Sequence, residues 1–304
     1  MTAAPALIAL DWGTTSLRAY LMGAGGAVLQ SAEHPLGILK VEGGDFAGAF
    51  RAVAGAWRAA SPGLPALASG MIGSRQGWRE APYAECPAGL DAVARGLVEI
   101  PGENLVLAPG VSFIDADGVP DVMRGEEAQI FGAFADGGSG IAVLPGTHSK
   151  WAEVEGGRIR RFATFMTGEA FAALSGHTIL GRLFEGEAFD AGGFARGVAH
   201  AALKQKGRGG LLHRLFSART LGLFNKAPPQ ALRSYLSGLL IGWEIEEAAA
   251  WLRRKPLEVT VIGGAQLSAA YRAAFKQRGV AAEAAPADAA ALGLWRIAAA
   301  AGLV

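Results

Sequence analysis

The feature that most constrains the fold is a pattern that occurs twice: a short apolar strand, a turn containing Gly-Thr, and a β-hairpin. In the first copy, residues 7–10 form the apolar run and residues 11–16 the turn, after which apolar and polar residues alternate. In the second copy, residues 141–144 form the run, residues 145–150 the turn, and residues 155–157 the hairpin bend. Alternation with a period of two is typical of strands. Two units of one design predict a duplicated α/β architecture.

The length of the chain also favours two domains, because 304 residues exceed what one hydrophobic core usually covers. The stretch Ala-Asp-Gly-Gly-Ser-Gly at residues 135–140 is typical of a linker. We therefore predict an N-terminal domain of residues 1–136 and a C-terminal domain of residues 137–304. The final helix, predicted over residues 287–301, is free to return to the N-terminal domain. Asp45 is predicted to cap a helix that follows the first hairpin, and a further helix is predicted over about residues 168–183.

The composition narrows the class of protein. A formal net charge of +1 gives no reason to expect nucleic acid or a membrane surface as a partner. No run reaches the roughly 18 consecutive apolar residues that a membrane-spanning helix needs. The single cysteine, Cys86, excludes an intramolecular disulfide and a zinc site built on several cysteines. We therefore predict a cytoplasmic protein that acts on small molecules, and we leave open whether it forms a homodimer.

The string "DWGTTS" at residues 11–16 lies where the first strand turns into its hairpin. Such a turn directs backbone N–H groups and the hydroxyls of Thr14 and Thr15 at one point, which suits phosphate oxygens. Gly13 allows the backbone to approach a ligand closely. Asp11, at the end of a strand, is suited to hold Mg²⁺ through water. The alternative is an ordinary Asp-x-Gly turn in a solvated loop.

The string "PGTHSK" at residues 145–150 occupies the same place in the second unit. Gly146 and Thr147 are predicted to hold phosphate from the other side of a cleft. Leu144 stands where the first unit has its aspartate, so only the first turn supplies a carboxylate. Lys150 is suited to reach a phosphate or a substrate carboxylate, and the alternative is a surface lysine at the start of a strand.

A third element is the apolar strand at residues 257–262, which ends in Gly263, Gly264 and Ala265 before a helix. Such a strand end lets an adenine or a ribose pack flat against the backbone. By itself, Gly-Gly is also a simple strand terminator.

In this order and spacing, the three elements resemble the phosphate-1, phosphate-2 and adenosine motifs of the actin/hexokinase/Hsp70-like superfamily. Longer strings, from about residue 6 to residue 275, resemble the 2-dehydro-3-deoxygalactonokinase family. They are "ALDWGTTSLRAYL", "SGMIGSRQGW", "RGEEAQIFGA", "LPGTHSKW", "FMTGEAFAALSGHTIL" and "VIGGAQLSAAY". The resemblance implies two ribonuclease-H-like (actin-like ATPase) α/β domains, with mixed sheets flanking a central cleft. It also implies ATP and Mg²⁺ as cofactors and phosphorylation of 2-dehydro-3-deoxy-D-galactonate to its 6-phosphate in galactonate degradation.

The resemblance also implies a catalytic base. A kinase needs a carboxylate near the acceptor hydroxyl, because the proton must leave as the phosphoryl group arrives. Related carbohydrate kinases use an aspartate in a Gly-Asp-Gln-type string at a helix start, and Arg124-Gly125-Glu126-Glu127 resembles that string with glutamate in place of aspartate. We favour Glu126 as the base and keep Glu127 as the alternative. Both glutamates could instead only complement the helix dipole.

Substrate contacts are predicted from chemistry and from the same resemblance. A keto acid carries a carboxylate, which arginine grips well, and the string "SGMIGSR" at residues 69–75 resembles a sugar-contacting loop. Arg75 is therefore the first candidate. Glu169, which opens a helix, could bind sugar hydroxyls or only cap that helix. The predicted substrate-binding residues are Ser74, Arg75, Arg124, Ser149, Lys150 and Glu169.

Three alternatives to this function were open. A non-catalytic sugar sensor on the same fold usually brings a DNA-binding segment, and the charge balance shows no basic stripe. A dinucleotide-dependent oxidoreductase would need Gly-x-Gly-x-x-Gly opening into a helix, whereas the first turn opens into a strand. A kinase for another sugar or sugar acid remains compatible with every motif.

Overall fold

The computed structural model describes residues 4–135, 137–202 and 209–304. The contacts divide the chain into two compact units. One comprises Met1–Gly140, Ala152–Phe162 and Ala285–Val304, and the other comprises Ile141–Trp151 and Ala163–Ala284. The last segment of the chain is thus grouped with the first. The domain boundary between residues 136 and 137 stays a prediction, and Asp136 of the expected linker lies outside the described residues.

The described residues form strands in both units. They are β1 (Pro5–Trp12), β2 (Leu17–Gly23), β3 (Val28–His34), β4 (Ala66–Ser69), β5 (Tyr83–Glu85), β6 (Val98–Ile100), β7 (Leu105–Leu107), β8 (Gly110–Ile114), β9 (Pro120–Met123), β10 (Gly140–Leu144), β11 (Ser149–Glu155), β12 (Arg158–Phe165), β13 (Glu258–Val261) and β14 (Ala281–Ala284).

The α-helices that the structure describes are α1 (Phe46–Ala60), α2 (Leu90–Arg95), α3 (Glu126–Ala133), α4 (Thr167–His177), α5 (Ala191–Ala201), α6 (Leu211–Leu215), α7 (Ser217–Leu223), α8 (Pro229–Trp251), α9 (Ala265–Gln277) and α10 (Ala289–Ala300). None of the described helices is long and apolar enough to span a bilayer.

The main sheet of the first unit has the strand order β3-β2-β1-β4-β7-β6. Its central strand β1 pairs antiparallel with β2 and parallel with β4. Ile8 and Leu10 pack in one core with Phe46 and Phe50 of α1, and α10 also contacts β1. A strand covered on both faces has an unbroken apolar sequence, which explains the buried run at residues 7–10.

Helix α10 belongs with the first unit because it packs closely on α3. Gly132 and Gly293 face each other there, and a Cβ on either residue would collide with the backbone of the other helix. The missing side chains therefore permit the approach of the two helix axes. A smaller sheet of the same unit, in the order β5-β8-β9, leads directly into α3.

The five-stranded sheet that contains β10 and β13 has the order β12-β11-β10-β13-β14, in which β10, β13 and β14 run parallel. This order repeats that of the first unit, where a three-stranded meander is also followed by a parallel strand. Val143, Trp151 and Phe275 lie in its core. Helices α5 and α8 cross closely at Gly197 and Gly238, where a Cβ would strike the facing backbone. The duplicated arrangement predicted from the repeat is confirmed.

Local signals predicted most elements correctly and one helix end incorrectly. Asp45 caps α1 as expected, since its Oδ1 accepts a hydrogen bond from the Gly48 N–H at 2.8 Å. The helix expected over residues 168–183 was too long, because α4 ends at His177. Thr178 is extended there, and its hydroxyl donates to the Leu174 carbonyl at 2.6 Å.

Candidate active site

The first turn, residues 11–16, follows β1 in the first unit and has a fixed backbone. The Gly13 N–H donates to the Ser16 carbonyl at 2.9 Å, and the Gly13 carbonyl accepts from the Ile38 N–H at 3.0 Å. Thr14 and Thr15 are exposed. A Cβ at Gly13 would meet only the Ser16 carbonyl, at 3.5 Å, so the protein itself leaves room there. The turn thus presents two hydroxyls and an open backbone edge from a rigid base.

The loop that contains Gly70 lies beside the end of β1. Ser69, the last residue of β4, is paired in register with Asp11. Gly70 follows with φ +96°, and a Cβ on it would lie 2.7 Å from the Trp12 carbonyl. Gly125, with φ +107°, passes so close that its Cβ would lie 3.1 Å from the Gly70 Cα. These two left-handed glycines let the start of α3 approach the end of β1.

Three carboxyl groups of the first unit interact electrostatically where these segments approach, with Glu126 acting on both Asp11 and Glu127. Burial is the main cause that raises the pKa of Asp11 to about 6; the charge of Arg18 opposes this shift, and the charge of Glu126 contributes to it. Burial, together with the charge of Glu126, raises the pKa of Glu127 to about 8. Asp11 is thus largely ionised at neutral pH and Glu127 is largely protonated. The structure therefore brings Asp11 and both candidate bases into one electrostatic cluster.

The two glutamates at the start of α3 turn back towards the preceding backbone. Glu126 Oε2 accepts a hydrogen bond from the Arg124 N–H at 2.9 Å, and Glu127 Oε2 accepts from the Gly125 N–H at 2.7 Å. Glu126 is half-buried, whereas Glu127 has no exposed surface. Glu126 is the more accessible of the two carboxyls.

Arg124 is held by its neighbours but keeps unused donors. Its guanidinium lies 4.2 Å from the centre of the Tyr83 ring, and Nη2 donates to the Ala81 carbonyl at 2.8 Å. Its Nε and Nη1 are buried and have no hydrogen-bond partner among the described residues, and the same is true of Ser69 Oγ. Buried polar atoms without partners are costly, so they mark a place where a ligand can supply the missing bonds.

Arg75 and Ser74 have different surroundings. The Arg75 side chain is 86% exposed, and its Nε donates to Glu80 Oε1 at 2.8 Å. The Ser74 hydroxyl donates to the Met71 carbonyl at 2.7 Å. Both residues lie on the loop that begins at Ser69, but Arg75 points its charge into solvent.

The second turn, residues 145–150, is anchored to the start of α4. The Thr147 carbonyl accepts from the Glu169 N–H at 2.9 Å, and His148 Nε2 lies 2.5 Å from Glu169 Oε2. A Cβ at Gly168 would lie 2.8 Å from the Thr147 Cα, so glycine permits this contact. Thr147 itself is exposed, as Thr14 is in the first turn. Glu169 is therefore part of the support of the turn.

Ser149 and Lys150 are both buried at the start of β11. The Ser149 hydroxyl donates to Glu244 Oε1 at 2.8 Å. Sequence reasoning missed Glu244, which lies on α8, 95 residues from Ser149. The only sequence signal was an acidic residue within a stretch of α8 that is otherwise mostly apolar.

The third motif lies next to the second turn. β10 and β13 are adjacent and parallel, so their carboxyl ends lie at the same edge of the sheet. Gly263 has φ +153°, and a Cβ on it would lie 3.5 Å from the Pro145 carbonyl. Helix α9 begins at Ala265, directly after Gly264. Ligand sites of open α/β sheets form at such strand ends.

A cavity of about 610 Å³ opens beside the first turn of α9. Its walls come from three helices of the second unit and from the segment before α5: Gln266 and Ala270 of α9, Ser237 and Arg233 of α8, Phe171 of α4, and Glu187 and Phe189 of that segment. The Arg233 guanidinium lies 5.2 Å from the centre of the Phe171 ring. The cavity combines an aromatic face, a cation and polar groups, a lining that suits a nucleoside.

Comparison with solved structures first bears on the fold. The activator of the 2-hydroxyisocaproyl-CoA dehydratase from Clostridium difficile, solved with bound ADPNP, is 11% identical with a TM-score of 0.52. The match covers 97% of this chain and 95% of that one. At this identity the likeness concerns the fold alone. The predicted α/β fold of actin-like ATPases and sugar kinases is confirmed.

The family follows from closer relatives. The profile of the 2-keto-3-deoxy-galactonokinase family matches residues 11–297. A 2-dehydro-3-deoxygalactonokinase of Escherichia coli K12 is 33% identical over 272 residues, which is 90% of each chain. A crystal structure of a Sinorhizobium meliloti protein assigned to the same activity is 36% identical. Its TM-score is 0.87, and the match covers 97% of this chain and 98% of that one. The chain belongs to the 2-keto-3-deoxy-galactonokinase family, as the sequence strings predicted.

Proposed function

We propose that this chain transfers the γ-phosphoryl group of ATP to the 6-hydroxyl of 2-dehydro-3-deoxy-D-galactonate. The observation that carries the proposal is the family match over residues 11–297. The E. coli relative supports the same substrate. The cytoplasmic location stays a sequence-based prediction.

The first and second turns are proposed to bind phosphate oxygens. Each combines a fixed backbone with exposed hydroxyls, at Thr14 and Thr15 in one unit and at Thr147 in the other. The open space at Gly13, with Gly146 in the corresponding position, admits a close approach of phosphate to backbone N–H groups. Donors held in place before the substrate binds require no reorganisation when charge moves on to the leaving oxygen.

Glu126 is proposed as the general base. As the acceptor oxygen forms its bond to the γ-phosphorus, the bond from that phosphorus to the bridging oxygen of ADP breaks, and the hydroxyl proton passes to the Glu126 carboxylate. It lies at the start of α3, where the positive end of the helix dipole attracts negative charge. Glu127 is buried and holds its own proton near neutral pH, which makes it the weaker candidate for the base.

The residues around Asp11 fit a magnesium ion. Among the described residues, the His, Cys, Asp and Glu side chains form no group of three that could hold a metal on their own. Mg²⁺ does not need such a group, since it keeps several waters and binds one or two carboxylates together with substrate phosphates. Asp11 would hold it, and the ion when bound would neutralise charge on the phosphates.

Arg124 is proposed to grip the carboxylate of the sugar acid. Its Nε and Nη1 are buried without partners, and the ring of Tyr83 fixes the plane of the guanidinium. The two residues that follow Arg124 and Gly125 are the candidate bases, so a substrate bound here would lie near them. Arg75 remains a predicted contact, but it is already paired with Glu80 in solvent.

The adenosine moiety is proposed to lie at Gly263, Gly264 and Ala265, with its base in the cavity lined by Phe171 and Arg233. Backbone without side chains at the end of β13 admits a flat ring system. The lining residues Gln266 and Ser237 offer polar contacts to the base or the ribose.

A coupled assay of ADP release tests the proposal directly. The panel contains 2-keto-3-deoxy acids, aldonates and hexoses, each with ATP and Mg²⁺. Preference for 2-dehydro-3-deoxygalactonate by a factor of about 100 or more in kcat/KM would support the proposal, since discrimination of that size needs specific polar contacts. Preference for another member of the panel would identify a different sugar or acid kinase. Binding without ADP release would indicate a sensor.

A further inference from the structure

Glu244 is a buried carboxyl with several hydrogen-bond donors. It lies in the middle of α8 and is only 2% exposed. Its Oε1 accepts from the Ser149 hydroxyl and from Trp151 Nε1, both at 2.8 Å. Its Oε2 accepts from the Tyr271 hydroxyl at 2.6 Å, and the side chain of Thr167 also hydrogen-bonds to it.

The donors come from three different elements that surround the second turn. Ser149 and Trp151 open β11, Thr167 opens α4, and Tyr271 lies on α9. Two of these elements contact the turn: β11 follows it in the chain, and the start of α4 packs against it. Ser149 follows Thr147 by two positions, and Thr167 precedes Gly168, which packs against Thr147.

Packing alone does not explain why a carboxyl group is buried at this position. Burying a carboxyl costs free energy, and apolar residues of the same volume often stabilise a core as well or better. Burial accordingly raises the pKa of Glu244, and the hydrogen bonds from Thr167, Tyr271, Trp151 and Ser149 oppose that shift. A carboxyl group orients the hydrogen-bond donors around it, which an apolar side chain cannot do. Here four donors are held at fixed angles around one group.

We infer that Glu244 is a positioning residue that fixes the second turn for the phosphates of ATP. It ties the strand that leaves the turn to the helix that supports it, so that Thr147 and its backbone stay where a phosphate can meet them. The inference rests on the proposed phosphate-binding role of this turn. It adds a residue that touches no substrate and acts through Ser149 and Thr167.

The chemistry of the donors predicts how substitutions at Glu244 behave. Trp151 Nε1 can only donate, so it requires an acceptor on that side. The hydroxyls of Tyr271 and Thr167 can accept as well as donate. In Glu244→Gln the amide oxygen can therefore face Trp151 and Ser149 while the amide NH₂ donates to the two hydroxyls. Glu244→Gln is expected to retain at least half of the wild-type kcat/KM for ATP, whereas Glu244→Ala removes the acceptor that the four donors share.

Because Glu244→Ala could fail to fold, the decisive variants are Ser149→Ala and Tyr271→Phe. Each removes a single hydroxyl that bonds to Glu244. The matched control is Tyr235→Phe, which removes a buried tyrosine hydroxyl of α8 that bonds to Ser217 at 2.6 Å and has no contact with Glu244. All three variants should lose comparable thermal stability.

The test measures steady-state kinetics for both substrates, together with the rise in Tm that saturating MgATP causes. For Ser149→Ala and Tyr271→Phe we expect kcat/KM for ATP to fall about ten-fold or more, because small displacements of a binding group are costly in catalysis. KM for the sugar acid should stay within about two-fold in Tyr271→Phe, which alters no predicted substrate contact, and the MgATP-induced rise in Tm should shrink in both variants. Tyr235→Phe should change neither.

Equal losses in Tyr235→Phe, or equal effects on both substrates, would overturn the positioning role in favour of general stability. Thr147→Val separates this outcome from failure of the proposed function. If Thr147→Val lowers kcat/KM for ATP but Ser149→Ala does not, the inference about Glu244 fails and the phosphate turn stands. If Thr147→Val leaves ATP kinetics unchanged, the phosphate role of the turn fails, and the inference fails with it.

Discussion

The carboxyl of Glu127 accepts a hydrogen bond from the backbone N–H of Gly125 at 2.7 Å, although its side chain has no exposed surface. This bond holds the glycine bend, φ +107°, that sits against Gly70 and precedes Glu126. Burial and the neighbouring charge of Glu126 raise the pKa of Glu127 to about 8. A neutral acid therefore braces the segment that carries the proposed base.

The raised pKa of Glu127 predicts how stability changes with pH. The folded state keeps this proton up to about pH 8, whereas the unfolded chain loses it near 4.5, so stability falls as pH rises between these values. Asp11 adds a similar effect only up to about pH 6. Between pH 6 and pH 8, the titration of Glu127 should thus lower the free energy of unfolding by roughly 2 kcal/mol. Urea unfolding should show this fall in the wild type and a flatter profile in Glu127→Gln. The same slope in both proteins would contradict the assignment.

Glu126→Gln tests the base. Turnover should fall by about 10²- to 10⁴-fold, the usual contribution of general base catalysis, while KM for ATP stays nearly unchanged. Steady-state kinetics with both substrates varied would measure this, and Glu127→Gln serves as the matched neighbour. Near-normal turnover in Glu126→Gln would move the base role to Glu127 or to another residue.

Single strands and the start of α1 could be predicted, because the sequence patterns that determine them involve only neighbouring residues. The run at residues 7–10, the alternation in β2 and the cap at Asp45 each depend on neighbours within one turn or strand. The end of α4 was predicted too late in the chain, because the side chain of Thr178 ends the helix by bonding to the backbone. A threonine is compatible with both a helix and a turn, so the sequence does not show where the helix stops.

The surroundings of the site residues could not be predicted, because they join segments far apart in the chain. Arg124 stacks on Tyr83, Gly125 meets Gly70, and Ser149 bonds to Glu244. Periodicity reports which face of an element is apolar but not which partner that face meets. The sequence motifs therefore identified the candidate residues, and the structure shows what each residue contacts. The roles of these residues remain predictions.

Asp11→Asn should weaken the dependence of activity on magnesium. The substitution keeps the size of the side chain but removes the charge that a hydrated Mg²⁺ prefers. A magnesium titration at fixed ATP should shift to higher concentration. An unchanged titration would count against Asp11 as the metal-holding residue.

Arg124→Lys and Arg75→Ala form a pair that locates the substrate carboxylate. Lysine keeps the charge of Arg124 but loses its planar set of donors and the stacking on Tyr83. KM for the sugar acid should rise about 10- to 100-fold, the cost of one or two charge-assisted hydrogen bonds, and KM for ATP should change little. Arg75→Ala should raise the sugar-acid KM by less, because this side chain is exposed and paired with Glu80. A larger effect at Arg75 would return the carboxylate site to that residue.

The cavity beside α9 gives a prediction for the nucleotide alone. Ser237 lies on its wall, and Ser237→Leu would fill part of the space with an apolar side chain. If the adenine base binds there, KM for ATP should rise about ten-fold or more while KM for the sugar acid stays constant. Leu212→Ser is a suitable control, because it changes polarity at an exposed site of the same unit outside the cavity lining. Direct titration with a fluorescent ATP analogue would confirm that the loss is in binding rather than in turnover. Unaltered nucleotide affinity in Ser237→Leu would exclude the cavity as the base site and leave only the backbone at Gly263 and Gly264 to hold the adenosine.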